Sequence, residues 1–222
     1  MAGWKVQSSG AGRTNGRIEG RTSRAVRRLL DVVIALAALA FAAPVLAAAA
    51  LAIRVKMGRP VLFRHARAGR DGEPFELLKL RTMRPLRAGE TAPDHDGARI
   101  TPLGRFLRST SIDELPSLVN VVRGDMAVVG PRPLPVRYVE RYTDRQRRRL
   151  AVRPGITGWA QINGRNAIGW DARLELDAWY VDHRSLALDA RILARTVPVV
   201  VRRSGISGAG HATMTQLPAR RE

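Results

Sequence analysis

The sequence predicts an α+β protein, mainly helical with a small β-sheet, carrying an N-terminal re-entrant membrane helix-hairpin broken at Pro44 and interfacial amphipathic helices. Three observations predict it. Val32 to Ile53 form an uncharged run of 22 residues with Pro44 near its middle. Short apolar pieces between residues 58 and 81 alternate with Gly/Pro turns, as strands do. Longer periodic stretches, with stop signals such as Gly124, fill most of the remainder.

Residues 1–22 are rich in Gly, Ser, Thr, Asn and Arg without an apolar period, and read as a disordered basic tail. Residues 23–57 follow as the membrane element. A straight helix of the uncharged run would reach about 33 Å, enough to span a bilayer. Two features favour entry and return instead. Pro44 removes a backbone donor and kinks or breaks a helix. Basic residues also flank both ends: Arg24, Arg27 and Arg28 before the run, and Arg54, Lys56 and Arg59 after it. Positive charge marks the cytoplasmic side, so both flanks belong there. The competing readings are a true span, a buried soluble helix and a signal peptide. The last fits poorly, because the run begins far from Met1 and is too long.

Residues 58–203 read as a soluble-looking domain, and residues 204–222 as a C-terminal loop and tail. Val61–Arg64 and Phe75–Arg81 are expected strands, and residues 84–99 a loop. Ser111 to Arg123 is an expected helix stopped by Gly124, and Ala127–Val129 a short strand leading into Gly130-Pro131-Arg132-Pro133. Val136–Leu150 is expected to be a charged helix and Arg153–Gly158 a loop. Leu174–Val181 and Leu186–Arg203 are further helices, the second interrupted at Pro198 and bearing Arg191, Arg195, Arg202 and Arg203 as an interfacial helix would.

The formal net charge is +19, and only Lys5, Lys56 and Lys79 are lysines. Such charge calls for anionic partners: lipid headgroups, phosphorylated substrates or nucleic acid. Arginine suits phosphate because its planar fork donates two hydrogen bonds at once; genomic base bias explains the same excess equally well. Nucleic-acid binding is disfavoured by the apolar run and by the lack of any reading helix. The chain has no cysteine, which excludes disulfides and thiolate metal sites.

Ser111 and Glu114 fit a capping box at a helix start, and Asp113 fits the first turn. That is a sufficient structural explanation for both acids. The chemical alternative is that an ionised Asp113, beside phosphate-suited Arg105 and Arg108, acts as a carboxylate nucleophile on phosphorus. The glycines at 155, 158 and 164 read as turn residues or as a phosphate-approaching loop, and Trp159, Trp170 and Trp179 as core, interface or base-stacking residues. Asp125 is an acid of a site or part of the turn after Gly124. Arg147-Arg148-Arg149 reads as a lipid-facing or solvated run. His65, His95 and His183 share no metal-ligand spacing.

Several blocks in order resemble the bacterial sugar transferase family, the monotopic phosphoglycosyl transferases. They are Lys79-Leu-Arg-Thr-Met83, Ser111-Ile-Asp-Glu-Leu-Pro116, Asn120-Val-Val-Arg-Gly-Asp-Met126, Val129-Gly-Pro-Arg-Pro133 and Arg153-Pro-Gly-Ile-Thr-Gly-Trp-Ala-Gln-Ile-Asn-Gly-Arg165. The resemblance implies an enzyme that moves a phosphosugar from a UDP-sugar to undecaprenyl phosphate on the cytoplasmic face of the bacterial inner membrane, releasing UMP. It implies Asp113 as nucleophile and Glu114 as its partner, with Mg2+ held by Asp113 and Glu114. Lys79, Arg108, Arg132 and Arg165 are implied as phosphate-binding residues, and downstream glycosyltransferases as partners. The tail Ser204-Gly-Ile-Ser-Gly-Ala-Gly-His-Ala-Thr213 resembles the subfamily acting on N-acetylated deoxy sugars such as bacillosamine, with His211 a candidate substrate contact. Where the family's hairpin breaks at Ser-Pro, this chain has Ala43-Pro44. The hydroxyl that would bond a freed carbonyl is absent, and Pro44 alone carries the expected break.

Overall fold

The computed structural model describes residues 21–91, 96–164, 168–201 and Leu217. Helix α1 (Arg21–Met57) comes first. Strands β1 (Leu62–Ala68) and β2 (Pro74–Leu80) form an antiparallel hairpin, with Leu62 opposite Leu80 and Ala68 opposite Pro74. Helices α2 (Asp96–Arg99), α3 (Pro102–Ser109) and α4 (Ser117–Arg123) follow. Strand β3 (Ala127–Val129) comes next, and beyond it helix α5 (Asp144–Arg147). Strand β4 (Gly155–Thr157) then pairs parallel with β3. Helices α6 (Trp159–Ile162), α7 (Trp170–Asp182) and α8 (Leu186–Val201) complete the described chain. The α+β, mainly helical expectation is met, with two two-stranded sheets in place of one.

Helix α1 runs for 37 residues with Pro44 inside it, so the expected break does not interrupt the helix. A single proline removes one hydrogen bond, and the flanking alanines are the strongest helix formers available. The helix is long and apolar enough to cross a membrane by length and composition. Its buried positions Ala35, Ala42, Ala49 and Ile53 recur at helical spacing and define one face. Ala35 packs with Leu118 and Val121, and Ala49 and Ile53 pack with Leu80 and Leu107. The other faces expose Leu29, Val33, Leu36, Phe41, Val45, Leu51 and Val55.

Both ends of α1 are fastened to the rest of the fold by polar side chains. Arg28 donates to the carbonyls of Val121 (2.6 Å) and Val122 (2.7 Å), capping the C-terminal end of α4. Asp31 accepts from the Val128 amide at 2.9 Å, and Arg27 pairs with Asp189. At the far end, Arg81 donates to the carbonyls of Gly58 (2.7 Å), Arg59 (3.0 Å) and Met57, capping α1 itself.

A central core joins Leu77, Leu118, Val121, Met126, Val128, Val129, Tyr180 and Ile192. A second gathers Leu134, Tyr138, Tyr142, Leu150 and Leu174. The buried Asn120 ties α4 to the edge of β2: its Oδ1 accepts from the Leu78 amide (3.0 Å), and its Nδ2 donates to the Glu76 carbonyl (2.8 Å) and to Asp125 (3.0 Å). That bond to Asp125 accounts for the acid as part of the turn at Gly124, whose φ of 99° caps α4.

Several expected elements differ. The loop expected at 84–99 contains α2, and α8 runs through Pro198 without the expected interruption. The Ser111–Arg123 helix is a 3-10 turn over Ile112–Glu114 followed by α4. Ser111 is left-handed (φ 58°, ψ 14°) and caps nothing with its side chain, so the capping box is absent there. A capping box forms instead at Thr143 and Gln146, where α5 restarts the chain and divides the expected Val136–Leu150 helix into short turns. The expected loop at 153–158 contains β4. Its pairing depends on two glycines, because a Cβ on Gly155 would lie 2.1 Å from the Gly130 nitrogen.

Candidate active site

Four elements bring the expected residues together. Lys79 lies near the end of β2, Arg108 in the last turn of α3, Asp113 and Glu114 in the 3-10 turn, and Arg132 just beyond β3. Thr101 starts α3 by accepting from the Gly104 amide (3.0 Å), with Pro102 in the first turn. Gly104 then meets the chain at Thr82 so closely that a Cβ would lie 1.9 Å from the Thr82 carbonyl oxygen. This approach lets Arg108 Nε donate to Thr82 Oγ1 at 2.9 Å. The left-handed Ser111 then turns the chain into the acidic pair.

The two acids have different environments. Glu114 Oε1 accepts from Lys79 Nζ (2.6 Å) and Arg132 Nη2 (2.6 Å), and Oε2 lies 3.5 Å from Arg132 Nη1. Burial pushes the Glu114 carboxyl up, but Arg132 and Lys79 outweigh it and hold the group well below the usual carboxylate range. Asp113 is 7% exposed, and its carboxylate accepts no hydrogen bond from any described residue. Burial first, and the adjacent Glu114 charge second, push it from 3.8 up to about 6. Lys79, Arg108 and Arg132 act in the opposite direction.

A residue that sequence reasoning missed completes the cluster. Arg67 on β1 is lowered to about 10 by burial and by the like charge of Arg132, and Glu114 opposes that shift. Its signal is faint, since it is one of two arginines on β1, with Arg64. Lys79, Arg67, Arg108 and Arg132 set against Asp113 and Glu114 leave an excess of two positive charges. Two adjacent carboxylates within a cationic rim can hold a hard divalent cation and a phosphate chain together. Among the described residues no cluster of three or more His, Cys, Asp or Glu exists. Mg2+, which keeps few protein ligands, fits the two carboxylates of Asp113 and Glu114, and Asp113 is bonded by none of the described residues.

Arg105 is exposed on α3. Arg165 and His211 lie outside the described residues, as do His95 and the tail from 202 to 216. The tryptophans are engaged within the protein: Trp159 stacks on Trp179 (5.1 Å), Trp179 on His183 (4.2 Å), and Trp170 meets Tyr138 edge-on (5.7 Å). The basic run at 147–149 is not uniformly solvated or lipid-facing. Arg148 pairs with Asp182 at 2.9 Å, and Arg149 is buried in a 2.9 Å pair with Asp177. A buried guanidinium requires such a partner, and α7 supplies it.

Comparison with known proteins shows the family. Residues 22–203 match the family described as bacterial sugar transferase. The chain is similar to an uncharacterized sugar transferase, EpsL, of Bacillus subtilis (strain 168), at 47% identity over 85% of this chain and 93% of that protein. It is 38% identical to an undecaprenyl-phosphate galactose phosphotransferase of Salmonella typhimurium, over 83% of this chain but 42% of that longer protein. It is 44% identical to a UDP-glucose:undecaprenyl-phosphate glucose-1-phosphate transferase of Caulobacter vibrioides, over 78% of this chain and 68% of that one. The chain thus spans nearly all of one relative and under half of another. With most of its length matched, the chain belongs to the bacterial sugar transferase family.

Proposed function

We propose that the protein transfers a sugar phosphate from a UDP-sugar to undecaprenyl phosphate through a covalent intermediate on Asp113, as the first membrane step of glycan assembly. The observation that carries this reading is the division of labour between the adjacent acids. Glu114 is held by Lys79 and Arg132, whereas Asp113 beside them accepts a hydrogen bond from none of the described residues.

The ionised Asp113 carboxylate attacks the sugar-side phosphorus. A P–O bond to that oxygen forms and the diphosphate P–O bond breaks, so UMP leaves with the bonding electrons. A phosphate oxygen of undecaprenyl phosphate then attacks the acyl phosphate, and Asp113 departs as carboxylate. Arg108, Arg132, Lys79 and Arg67 offset the charge of the phosphates, with Arg165 and His211 as further expected contacts. Asp113 and Glu114 would hold Mg2+, which would supply further neutralisation of phosphate charge. With Asp113 near 6, most of the carboxylate is ionised at neutral pH.

The site faces the cytoplasm in this reading. In this reading helix α1 enters the membrane from that side alone and returns to it by bending at Pro44 while staying helical. Support comes from its two ends, which the same domain clasps through Arg28 and Arg81. The exposed arginines of α8, Arg191 and Arg195, suit an anionic lipid interface. Two relatives are named for galactose and glucose, while the tail motif favours an N-acetylated deoxy sugar. Glycosyltransferases that extend the lipid-linked sugar are the expected downstream partners.

The test is UMP release from a panel of UDP-sugars with Mg2+ and undecaprenyl phosphate. Donor alone should leave a phosphosugar adduct on Asp113, and Asp113→Asn should abolish both. Turnover without an adduct, or an active Asp113→Asn, defeats the mechanism. Cysteines placed at Ser8 and Ser207 should both be labelled from the cytoplasmic side; opposite sides would mean a span.

A further inference from the structure

The deepest ion pair among the described residues lies outside the acid cluster. Arg149 and Asp177 have side chains 2% exposed. Asp177 Oδ2 accepts from Arg149 Nη2 (2.9 Å) and Nε (3.2 Å), and Arg149 Nη1 donates to Tyr142 Oη (2.9 Å). Arg149 Nη2 also donates to the backbone carbonyl of Arg132 at 2.5 Å. Asp177 Oδ1 is buried without a hydrogen-bond partner among the described residues. A pair with an unsatisfied oxygen is a poor stability device, since apolar side chains of similar volume commonly serve as well. What it holds is the backbone of the residue whose guanidinium grips Glu114.

The rest of that segment is fixed in the same way. The Gly130 amide donates to Thr157 O (2.9 Å), and the Gly155 amide to Pro131 O (2.9 Å). Tyr180, one turn beyond Asp177 on the same face of α7, places its Oη 3.3 Å from Val129 O and 2.7 Å from Asp189 Oδ1. Pro131 has a fixed φ, and Pro133 restricts Arg132 to extended backbone. The bond from Arg149 fixes the remaining rotation, that of the peptide plane after Arg132.

We propose that Arg149, oriented by Asp177 and Tyr142, is a positioning residue that sets the Arg132 backbone so that its guanidinium meets Glu114. The inference deepens the function proposed above and rests on it for its kinetic arm. The experiment is a double-mutant cycle in the full-length protein, joined to hydrogen exchange without substrate. Arg149→Met should lower kcat about tenfold or more in the wild-type background, but less than about twofold in the Arg132→Ala background, because the residue acts only through Arg132. Arg149→Lys keeps the charge without the fork and should behave like Arg149→Met. In substrate-free protein, the Gly130 and Gly155 amides, bonded to Thr157 O and Pro131 O, should exchange faster in both variants.

Equal losses in the two backgrounds, full activity in Arg149→Lys, or unchanged exchange would overturn the proposal. If Arg149→Met does not fold, Asp177→Asn and Tyr142→Phe enter the same cycle with the same expectations. If the wild-type protein releases no UMP, the catalytic reading fails by itself, and the exchange measurement still decides the positioning role.

Discussion

Lys79 Nζ and Glu114 Oε1 stand 2.6 Å apart, across the boundary between β2 and the acidic turn. Arg132 reaches the same oxygen from beyond β3, so one carboxylate joins three segments of chain. Two neighbouring acids that share a backbone turn are thereby driven apart in proton affinity. Glu114 is held ionised by its partners, and its charge helps to raise Asp113. Pairs of acids separated in this way commonly mark a division of chemical roles.

Neutralising the partner tests that relation. In Glu114→Gln the like charge beside Asp113 disappears, so the Asp113 pKa should fall. The acid limb of kcat/KM, near pH 6 in the wild type, should move down by about one pH unit. The rate itself should drop about tenfold or more, because Lys79 and Arg132 lose the group that orients them. UMP release measured across the acid range gives both numbers. An unmoved limb would mean that another group governs the profile.

Asp113→Asn should abolish transfer and stabilise the protein. The folded carboxyl titrates near 6 against an ordinary 3.8, so folding binds its proton more tightly. The neutral acid therefore imposes no penalty below 3.8, and the penalty grows as pH rises through 6. At neutral pH it is on the order of 1–3 kcal/mol. The variant should melt a few degrees above wild type at pH 7.5, with the gain shrinking toward pH 4. An equal gain at both values would detach the effect from ionisation.

Asn120 should prove as important to the fold as any apolar residue. Asn120→Ala strips the Leu78 amide and the Glu76 carbonyl of their buried partner and leaves Asp125 without its donor. Unsatisfied buried groups of this kind cost about 2–4 kcal/mol together. Chemical unfolding should show that loss, and the adjoining β2 should carry Lys79 less firmly. A loss under about 0.5 kcal/mol would mean that water replaces the amide at that edge.

Much of this architecture was legible because local signals and tertiary packing agreed. The uncharged run gave α1, Gly124 marked the end of α4, and the Gly/Pro turns bounded the hairpin of β1 and β2. Failures came where a local rule was outvoted. Ser111 and Glu114 had the spacing of a capping box, but Lys79 and Arg132, 32 residues before and 21 after Ser111, claimed Glu114. Strand β4 was hidden because its three residues, Gly155–Thr157, gain strand character only by lying against β3. Arg149 looked like one of three equivalent charges, and its burial depends on Asp177, 28 residues onward. Pairings between distant segments leave no periodic trace.

The faces of α1 provide the last test, because they are chemically similar and physically opposite. Ala35 is fully buried against Leu118 and Val121, whereas Phe41 is 90% exposed. Ala35→Leu adds volume to a filled contact and should cost about 1–3 kcal/mol of stability in detergent. It should also loosen the neighbouring grip of Arg28 on α4. Phe41→Ser touches no core and should leave that stability within about 0.5 kcal/mol. It should nevertheless weaken association with vesicles, because a bilayer-facing Phe contributes roughly 2 kcal/mol of apolar transfer. Flotation with anionic vesicles and thermal melting in detergent separate the two effects. If Phe41→Ser lowers the melting temperature while vesicle binding is unchanged, the exposed face packs on protein, and the membrane course proposed for α1 fails with it.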